Sequence, residues 1–231
     1  MVNGSSVLEY EVSKAAQYVA LRSHGIEFPA TVAVFGRNDL ARRAREFNVP
    51  FIAKHNQGGK GTGVRRFDTY EQFDDYVCSP EFSASPDGIT LLQEYLQAAE
   101  PFVTRVEFAG SEYLYTVRVD TAAGGFEFCP ADACAIPGAE GTGAFRPFQL
   151  REPFNVNPII RQYLAFLAGI GAEVAGIEFI ETADGRIITY DVKTNTNYNP
   201  DVEAQAAHPG ARRVAQVLGG LLAKRYALEA Y

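Results

Sequence analysis

The sequence predicts an α+β fold in two lobes, and three observations lead to this prediction. The chain has 231 residues, of which 47% are hydrophobic and 21% charged, a size and composition that suit one compact unit or two small lobes. Short strands joined by tight turns alternate with amphipathic helices. A glycine-rich loop at residues 56–63 lies between two of the strands. We therefore expect two small α+β lobes.

Hydrophobic spacing, capping residues and turn residues place the individual elements. Helices are predicted over residues 7–24, from Asn38 or Asp39 to Phe47, from Thr69 to about Val77, from Asn157 to Gly171, and over 212–227. Strands are predicted at 31–35, 51–54, 64–66, 91–96, 102–108, 113–119, 174–181 and 186–192. The strands between 91 and 119 are expected to form an antiparallel meander. Residues 120–156 have weak periodicity and form the longest irregular stretch.

Charge and composition exclude several classes of function. A formal net charge of −7 argues against sequence-independent binding of nucleic acid, which needs clustered Lys and Arg. The sequence has neither an apolar run of about 18 residues nor a signal-peptide pattern, so we expect no membrane segment and a cytoplasmic location. Three cysteines make a disulfide framework improbable, and the spacing of Cys129 and Cys134 favours a structural role over zinc.

The glycine-rich loop indicates phosphate binding. Gly58, Gly59, Gly61 and Gly63 leave backbone amides free to approach anionic oxygens, and Lys54 and Lys60 add positive charge at both ends. The loop does not match a Walker A motif, because Gly61 follows Lys60 where Ser or Thr is required. It fails the kinase pattern, because Lys54 precedes the loop, and the dinucleotide fingerprint, because a strand follows it. Nucleoside triphosphate binding remains the leading hypothesis.

A pair of carboxylates near the end of the chain predicts a site for a divalent cation. Glu178 and Asp191 lie on two strands joined by a tight Asp184-Gly185 turn, so a regular hairpin brings them face to face. Such a pair is tolerated best with a cation between its members, although one carboxylate pointing to solvent is an equal alternative. Asn195 and Asn197 follow; they are either oxygen ligands for Mg²⁺ or part of a turn that caps the next helix.

The ordered set of motifs resembles the ATP-grasp superfamily over nearly the whole chain, and it is most similar to the glutamate-ligase-like branch. The segments that carry the resemblance are Ser13-Lys14, Gly25 to Thr31, Pro50 to Lys54 with the glycine loop, Leu92 to Leu96, Gly176 to Phe179, and Tyr190 to Val192 with the Asn-rich turn. The resemblance implies two α+β lobes with antiparallel sheets that grip ATP between them. It divides the chain into entry helix (1–30), small lobe with lid loop (31–95) and large lobe with metal site (96–231).

The resemblance also implies roles for individual residues. Lys14 and Lys54 would reach the ATP phosphates, and residues 56–63 (with Gly58, Gly59, Lys60, Gly61 and Gly63) would fold over them. Gln93, Glu94 and Leu96 would form the hinge that reads the adenine edge. Arg118 would contact the transferring phosphate; alternatively, it is only a charged residue on an edge strand. For Lys14 the alternative is a solvated lysine on a helix. Glu178, Asp191 and Asn195 would hold Mg²⁺, with Mn²⁺ as a substitute.

Two departures from the family pattern bear on function. Lys193 stands where the family has a metal-binding Asn, and an ammonium cannot ligate a cation. Three alternatives follow. Asn195 or Asn197 replaces the missing ligand, or Lys193 itself neutralises phosphate, or one metal site and much of the activity are lost. Family members also usually carry a small α/β domain before the first helix, so part of a substrate or partner surface is expected to be absent.

The function that this resemblance implies is ADP-forming ligation of a carboxylate to an amine through an acyl phosphate. The expected partners are ATP and small substrates such as amino acids or peptides, with no nucleic acid and no membrane. The alternative is an ATP-binding module with impaired catalysis and a partner-protein role. The sequence leaves the oligomeric state open, and a homodimer is the commonest assembly.

Overall fold

The structure, a computed structural model, describes residues 2–58, 63–121, 148–152 and 154–226. In these ranges the helices are α1 (Leu8–Val12), α2 (Lys14–Ser23), α3 (Leu40–Ala44), α4 (Tyr70–Cys78), α5 (Pro158–Ile170), α6 (Pro200–Glu203) and α7 (Gly210–Tyr226). The strands are β1 (Thr31–Phe35), β2 (Phe51–His55), β3 (Arg65–Phe67), β4 (Ile89–Glu94), β5 (Phe102–Ala109), β6 (Glu112–Asp120), β7 (Phe148–Arg151), β8 (Val174–Glu181) and β9 (Ile187–Lys193). The predicted α+β class is confirmed.

The first four strands form an antiparallel sheet in the order β1-β4-β2-β3. Helices α3 and α4 cover one face of it, and three aromatic rings, Phe51, Phe67 and Phe73, meet edge to face or stacked in the core between them. The Gln72 amide donates a 3.2 Å hydrogen bond to the Thr69 hydroxyl, which confirms the predicted cap of α4. This sheet carries Lys54 on β2.

The other five strands form a second antiparallel sheet in the order β7-β6-β5-β8-β9. Because alternate residues of a strand point to opposite faces, the part of the sheet formed by β5, β8 and β9 has an apolar face and a charged face. The apolar face packs on α5 and α2 and includes Val106, Phe108, Ile177, Phe179 and Val192. The charged face carries Arg105 and Glu107 from β5, Glu178 from β8, and Asp191 and Lys193 from β9.

Local capping signals placed α5 correctly. The Ile159 amide donates to the Asn157 side chain at 3.0 Å, and Pro158 occupies the first turn. The helix ends at Gly171, whose φ of 74° lies in the left-handed region that a side chain with a Cβ adopts at a cost. Both ends of α5 therefore follow from the local sequence.

Three sequence predictions about the fold were wrong. The opening helix is broken at Ser13, whose extended backbone separates α1 from α2 while its hydroxyl caps α2. Strand β4 does not continue into a meander with β5, because β1 and β2 pair with both of its edges. The stretch 120–156 is not irregular throughout, since β7 adds to the second sheet at β6.

Several expectations stay open on this structure. The division at residues 30 and 95 remains a prediction, although β1 to β4 all belong to one sheet and β5 to β9 to the other. Cys129, Cys134 and the predicted loop residues Gly59, Lys60 and Gly61 lie outside the described ranges, while Cys78 is a free, exposed thiol. No helix within the described ranges has both the length and the apolar character needed to cross a membrane.

Candidate nucleotide-binding site

Helix α2 presents Lys14 to the charged face of the second sheet. The break at Ser13 makes Lys14 the first residue of α2, and its Nζ donates a 2.8 Å hydrogen bond to Asp191 Oδ1 on β9. Burial alone would raise the pKa of Asp191, but the charges of Lys14 and Lys193 outweigh burial and lower it. The same ion pair overcomes the effect of burial on Lys14 and raises its pKa. Both groups are therefore charged at neutral pH.

Lys54 reaches the same region from β2, but unlike Lys14 it has no hydrogen bond to Asp191 to offset its burial. Its side chain is buried, with 6% of the residue exposed, and its Nζ donates a 2.6 Å hydrogen bond to the hydroxyl of Tyr18. Burial, followed by the charge of Lys14, lowers the pKa of Lys54 to about 7, against a smaller opposing effect of Asp191. A negatively charged ligand next to Lys54 would reverse this effect and restore its charge.

Tyr18 and Gln93 form the wall beside Lys54. The Tyr18 hydroxyl donates to the Tyr190 carbonyl oxygen at 3.0 Å and accepts from Gln93 Nε2 at 3.0 Å. Gln93 also donates to the Thr31 hydroxyl at 2.8 Å. Tyr18 lies on α2, Gln93 on β4 and Tyr190 on β9, so these bonds tie the two sheets together around the amine of Lys54.

Glu178 is enclosed by partners. Its Oε1 accepts a 2.6 Å hydrogen bond from Lys193 Nζ, and its Oε2 accepts one of 3.0 Å from the Tyr190 hydroxyl. Arg105 Nη1 lies 3.9 Å from Oε1. Glu178 faces Asp191 across the ladder, as predicted, so each predicted metal-binding carboxylate carries a lysine ammonium: Lys193 on Glu178 and Lys14 on Asp191.

Asn56 is a residue of this site that the sequence analysis missed. It follows β2 at the start of the glycine-rich loop, and its carbonyl oxygen accepts from the Lys14 amide at 3.2 Å. Its Oδ1 accepts from the Ala15 amide at 2.8 Å, and its Nδ2 donates to Ser13 and Asp87. Asn56 therefore fixes the start of α2, and with it Lys14, to the loop. An Asn within a glycine-rich loop gives no sequence signal for this role.

The described ends of the glycine-rich loop lie beside β2. Gly58 and Gly63 both have positive φ values, of 158° and 73°. A Cβ at Gly63 would come within 2.4 Å of His55 Nδ1, and the other ring nitrogen, His55 Nε2, lies 2.8 Å from the Ser83 carbonyl oxygen. The loop therefore needs glycine at residue 63, where it rejoins β3.

The predicted hinge residues lie at the end of β4, where Gln93 and Glu94 belong to the first sheet and Leu96 follows it. The Glu94 amide donates to the Ala30 carbonyl oxygen at 3.0 Å, while its carboxylate accepts from the Ala30 amide at 2.7 Å. Leu96 is buried against Ile180 and Ile188 of the second sheet. These contacts place the segment after β4 where the chain passes from one sheet to the other. Adenine recognition by Glu94 and Leu96 stays a prediction.

Arg118 is not brought to the charged face. It pairs across the ladder with Thr104, whereas the neighbouring Arg105 pairs with Glu178, and its guanidinium lies 4.2 Å from the centre of the Phe102 ring. The arginine that the structure places among the carboxylates is Arg105. Arg105 could have been identified as the residue opposite Glu178 if the register between β5 and β8 were known. That register depends on pairing between strands far apart in the sequence. The phosphate contact of Arg118 stays a prediction.

The oxygen-rich turn after β9 caps the helix that follows it. Asn199 in this turn accepts hydrogen bonds from the Asp201 and Val202 amides and so caps α6, which confirms that the turn caps the next helix. Asn195 and Asn197 are exposed. Their metal-binding role stays a prediction.

The donor set fits one Mg²⁺ that arrives on a nucleotide better than a cation bound by protein alone. Within the described ranges, no group of three or more His, Cys, Asp or Glu side chains is arranged to hold a metal ion. Mg²⁺ commonly uses one or two carboxylates together with substrate phosphates and water. Glu178 and Asp191 are the carboxylates predicted for this role, and in this structure each is paired with a lysine.

Comparison with known proteins gives structural neighbours and nothing from sequence. No family model and no curated protein matches the chain. The solved structure of a RimK domain protein ATP-grasp from Sphaerobacter thermophilus DSM 20745 matches with a TM-score of 0.64 and 16% identity, over 94% of this chain and 70% of that one. The D-cycloserine synthetase DcsG matches with a TM-score of 0.63 and 15% identity, over 92% and 70% of the two chains.

A third neighbour is the ATP-grasp ligase PsnB, solved with a minimal precursor, Mg and ADP. It matches with a TM-score of 0.62 and 15% identity, over 92% of this chain and 59% of PsnB. The chain described here thus spans about three fifths of the length of PsnB. At these identities the likeness shows the fold alone.

Proposed function

The chain has the ATP-grasp fold, and from this premise we propose that it is an ADP-forming ligase that joins a carboxylate to an amine. One observation supports this proposal above the others. Lys54 is an amine buried between two sheets, hydrogen-bonded to the neutral Tyr18 hydroxyl and next to the charged Lys14. Within the described ranges no carboxylate forms an ion pair with this amine, and the phosphates of ATP would supply an anion beside it.

In the proposed reaction a substrate carboxylate oxygen attacks the γ-phosphorus of ATP, and the bond from that phosphorus to the β–γ bridging oxygen breaks to release ADP. The nitrogen of an amine then attacks the acyl carbon, inorganic phosphate leaves, and the nitrogen loses a proton. Phosphoryl transfer of this type relies mainly on alignment and charge neutralisation. Lys14 and Lys54 would neutralise the phosphates, and Lys193 would add a fixed positive charge beside Glu178.

Mg²⁺ (or Mn²⁺), when bound, would neutralise charge on the phosphates, held by Glu178 and Asp191. The glycine-rich loop would cover the phosphates and keep water from the acyl phosphate. Peptides and amino acids are the substrates we propose first, because PsnB and the macrocyclase MdnC were each solved with a precursor peptide. The cytoplasmic location, the homodimer and the lack of nucleic-acid and membrane partners stay predictions.

An ATP-binding module with impaired catalysis and a partner-protein role is the second candidate. The observation that favours it is the 2.6 Å contact of Lys193 Nζ with Glu178 Oε1, which gives Glu178 an ammonium where a metal would otherwise lie. This candidate requires ATP binding without ligation.

The two candidates are separated by measuring ADP release and ATP binding on the same preparation. Purified protein is incubated with ATP, Mg²⁺ and pools of amino acids and short peptides. Release of ADP that depends on a particular pool supports the ligase. Binding of ATP with no ADP release from any pool supports the impaired module.

A Lys193→Asn variant sharpens the test. A large gain in turnover would show that Lys193 impairs an otherwise complete site. A loss of turnover would show that the ammonium contributes to the reaction. Lys224→Met, an exposed lysine on α7, serves as the control for removal of a positive charge.

A further inference from the structure

Two buried ions on the charged face have no role in the reaction proposed above. Arg105 and Glu107 lie on β5 with 5% and 2% of their surfaces exposed, and Arg105 Nε is 2.6 Å from Glu107 Oε1. Burial raises the pKa of Glu107, against the opposing effects of the Arg105 charge and of a hydrogen bond from Thr196. A buried ion pair is weak evidence for stability in itself, so its contacts beyond β5 are informative.

Those contacts lead to the turn at residues 194–199, which follows Lys193. Arg105 Nη2 donates to the Thr196 hydroxyl and, at 3.3 Å, to the Asn197 carbonyl oxygen. The Thr196 hydroxyl in turn donates to Glu107, 2.8 Å from Oε2 and 3.1 Å from Oε1. Thr196 therefore lies between a guanidinium and a carboxylate. Its hydroxyl accepts a hydrogen bond from Arg105 and donates one to Glu107.

A glycine on the intervening strand makes this bridge possible. Gly176 on β8 pairs with Glu107 on one side and Lys193 on the other. A Cβ at this position would lie 2.9 Å from the Thr196 hydroxyl oxygen, 3.0 Å from Arg105 Nε and 3.1 Å from Glu107 Oε2. The first distance is shorter than a real Cβ contact and the other two are tight, so the bridge crosses β8 in the space that Gly176 leaves.

We propose that Arg105, Glu107 and Thr196 are positioning residues that hold the 194–199 turn at the phosphate end of the site. Arg105 links the turn to Glu178, because its Nη1 lies 3.9 Å from the carboxylate that Lys193 contacts. The turn thereby keeps Lys193 and Asn195 in a fixed position relative to Glu178 and Asp191. This inference rests on the proposed ATP-binding function.

The test compares Thr196→Val with wild type in the binding of two ligands, measured by calorimetry with Mg²⁺ present. The ligands are AMPPNP, which carries three phosphoryl groups, and adenosine, which carries none. Loss of the hydroxyl should weaken AMPPNP binding about tenfold, the scale seen when groups that orient ligand-binding side chains are removed. Adenosine binding should be unchanged, because its contacts lie at the other end of the site.

Two further variants separate positioning from stability. Thr196→Ser keeps the hydroxyl and should restore AMPPNP binding. Thr189→Val removes a buried hydroxyl on β9 that lies 2.7 Å from the Tyr163 hydroxyl on the apolar face; it should lower the thermal midpoint while leaving AMPPNP binding as in wild type. If Thr196→Val does not fold, Gly176→Ala replaces it, with the same expected loss of AMPPNP binding.

The outcomes distinguish this inference from the function on which it rests. Wild-type affinity for AMPPNP in both Thr196→Val and Gly176→Ala, or an equal loss in Thr189→Val, overturns the positioning role and leaves the proposed function intact. Equal weakening of AMPPNP and adenosine also overturns it, since the effect would then be general. If wild-type protein binds no AMPPNP, the proposed function fails and the inference fails with it.

Discussion

Replacing Lys54 with methionine should change how the free energy of unfolding depends on pH. In the folded protein the pKa of Lys54 is lowered from 10.5 to about 7, so above pH 7 the folded state has released a proton that the unfolded chain still holds. Where the unfolded state binds more protons, stability rises with pH. Wild type should therefore gain stability relative to Lys54→Met as the pH rises from 7 to 9.

The expected size follows from the loss of one proton on folding. One proton corresponds to about 1.4 kcal/mol for each pH unit, and because Lys54 is still half protonated in the folded state at pH 7, the gain between pH 7 and pH 9 is about 2.3 kcal/mol. Below pH 7 both states of wild type hold the proton, and the difference between the two proteins should become constant. Methionine has a similar length and no charge, so it should fill the space that the lysine side chain occupies.

Urea unfolding of wild type and Lys54→Met at pH 7, 8 and 9 measures this difference directly. The exposed Lys224→Met variant is the matched control and should follow wild type at every pH. A difference between wild type and Lys54→Met that is flat from pH 7 to 9 would refute the argument, because Lys54 would then keep its proton in the folded protein.

The same amine predicts proton uptake when nucleotide binds. Phosphates next to Lys54 favour its charged form, so at pH 8 binding of ATP should take up close to one proton. ATP affinity should then fall about tenfold for each pH unit above 7. Calorimetry in two buffers of different ionisation enthalpy measures the uptake, and an uptake of zero in wild type would contradict the placement of phosphate beside Lys54.

Three further predictions concern stability. Phe108→Ala should cost about 3–5 kcal/mol in urea unfolding, because Phe108 is buried between the second sheet and α5. Phe35, which is 81% exposed, is the control. An equal loss of stability in Phe35→Ala would contradict this account of the core. Asn157→Ala should cost about 1 kcal/mol through loss of the α5 cap, and an unchanged urea midpoint would show that the cap contributes nothing. Asp191→Asn should be less stable than wild type at neutral pH, because the pKa of Asp191 is lowered in the folded state. The difference in free energy of unfolding should narrow as the pH falls from 5 towards 2 and Asp191 takes up a proton. A difference that stays constant over this range would mean that Lys14 does not stabilise the Asp191 charge.

The parts of the fold that were predictable from sequence are those fixed by neighbouring residues. The cap at Asn157 and the stop at Gly171 define α5 within a few positions, and the Asp184-Gly185 turn sets β8 against β9 so that Glu178 faces Asp191. The break at Ser13 was missed because Asn56, far along the chain, holds the start of α2. Local periodicity alone supports a continuous helix there.

The site was predictable to a similar extent. Lys14, Lys54, Glu178 and Asp191 lie in one region, as the family resemblance implies, and their roles in binding stay predictions. Arg105 was missed because its neighbours come from pairing across β5 and β8, and pairing between distant strands leaves no trace in the sequence around one residue. For the same reason the pairing of β4 with β1 and β2 could not be deduced from its short distance to β5.

The two unlike faces of the second sheet have a consequence for folding. A shift of β8 by one residue would exchange its faces and place Glu178 in the layer where Ile177 and Phe179 now pack. An unpaired carboxylate in that layer costs several kcal/mol, while Lys193 would lose its contact with Glu178. The charged residues thus penalise a one-residue shift of β8 and favour the observed alignment of β5, β8 and β9 during folding.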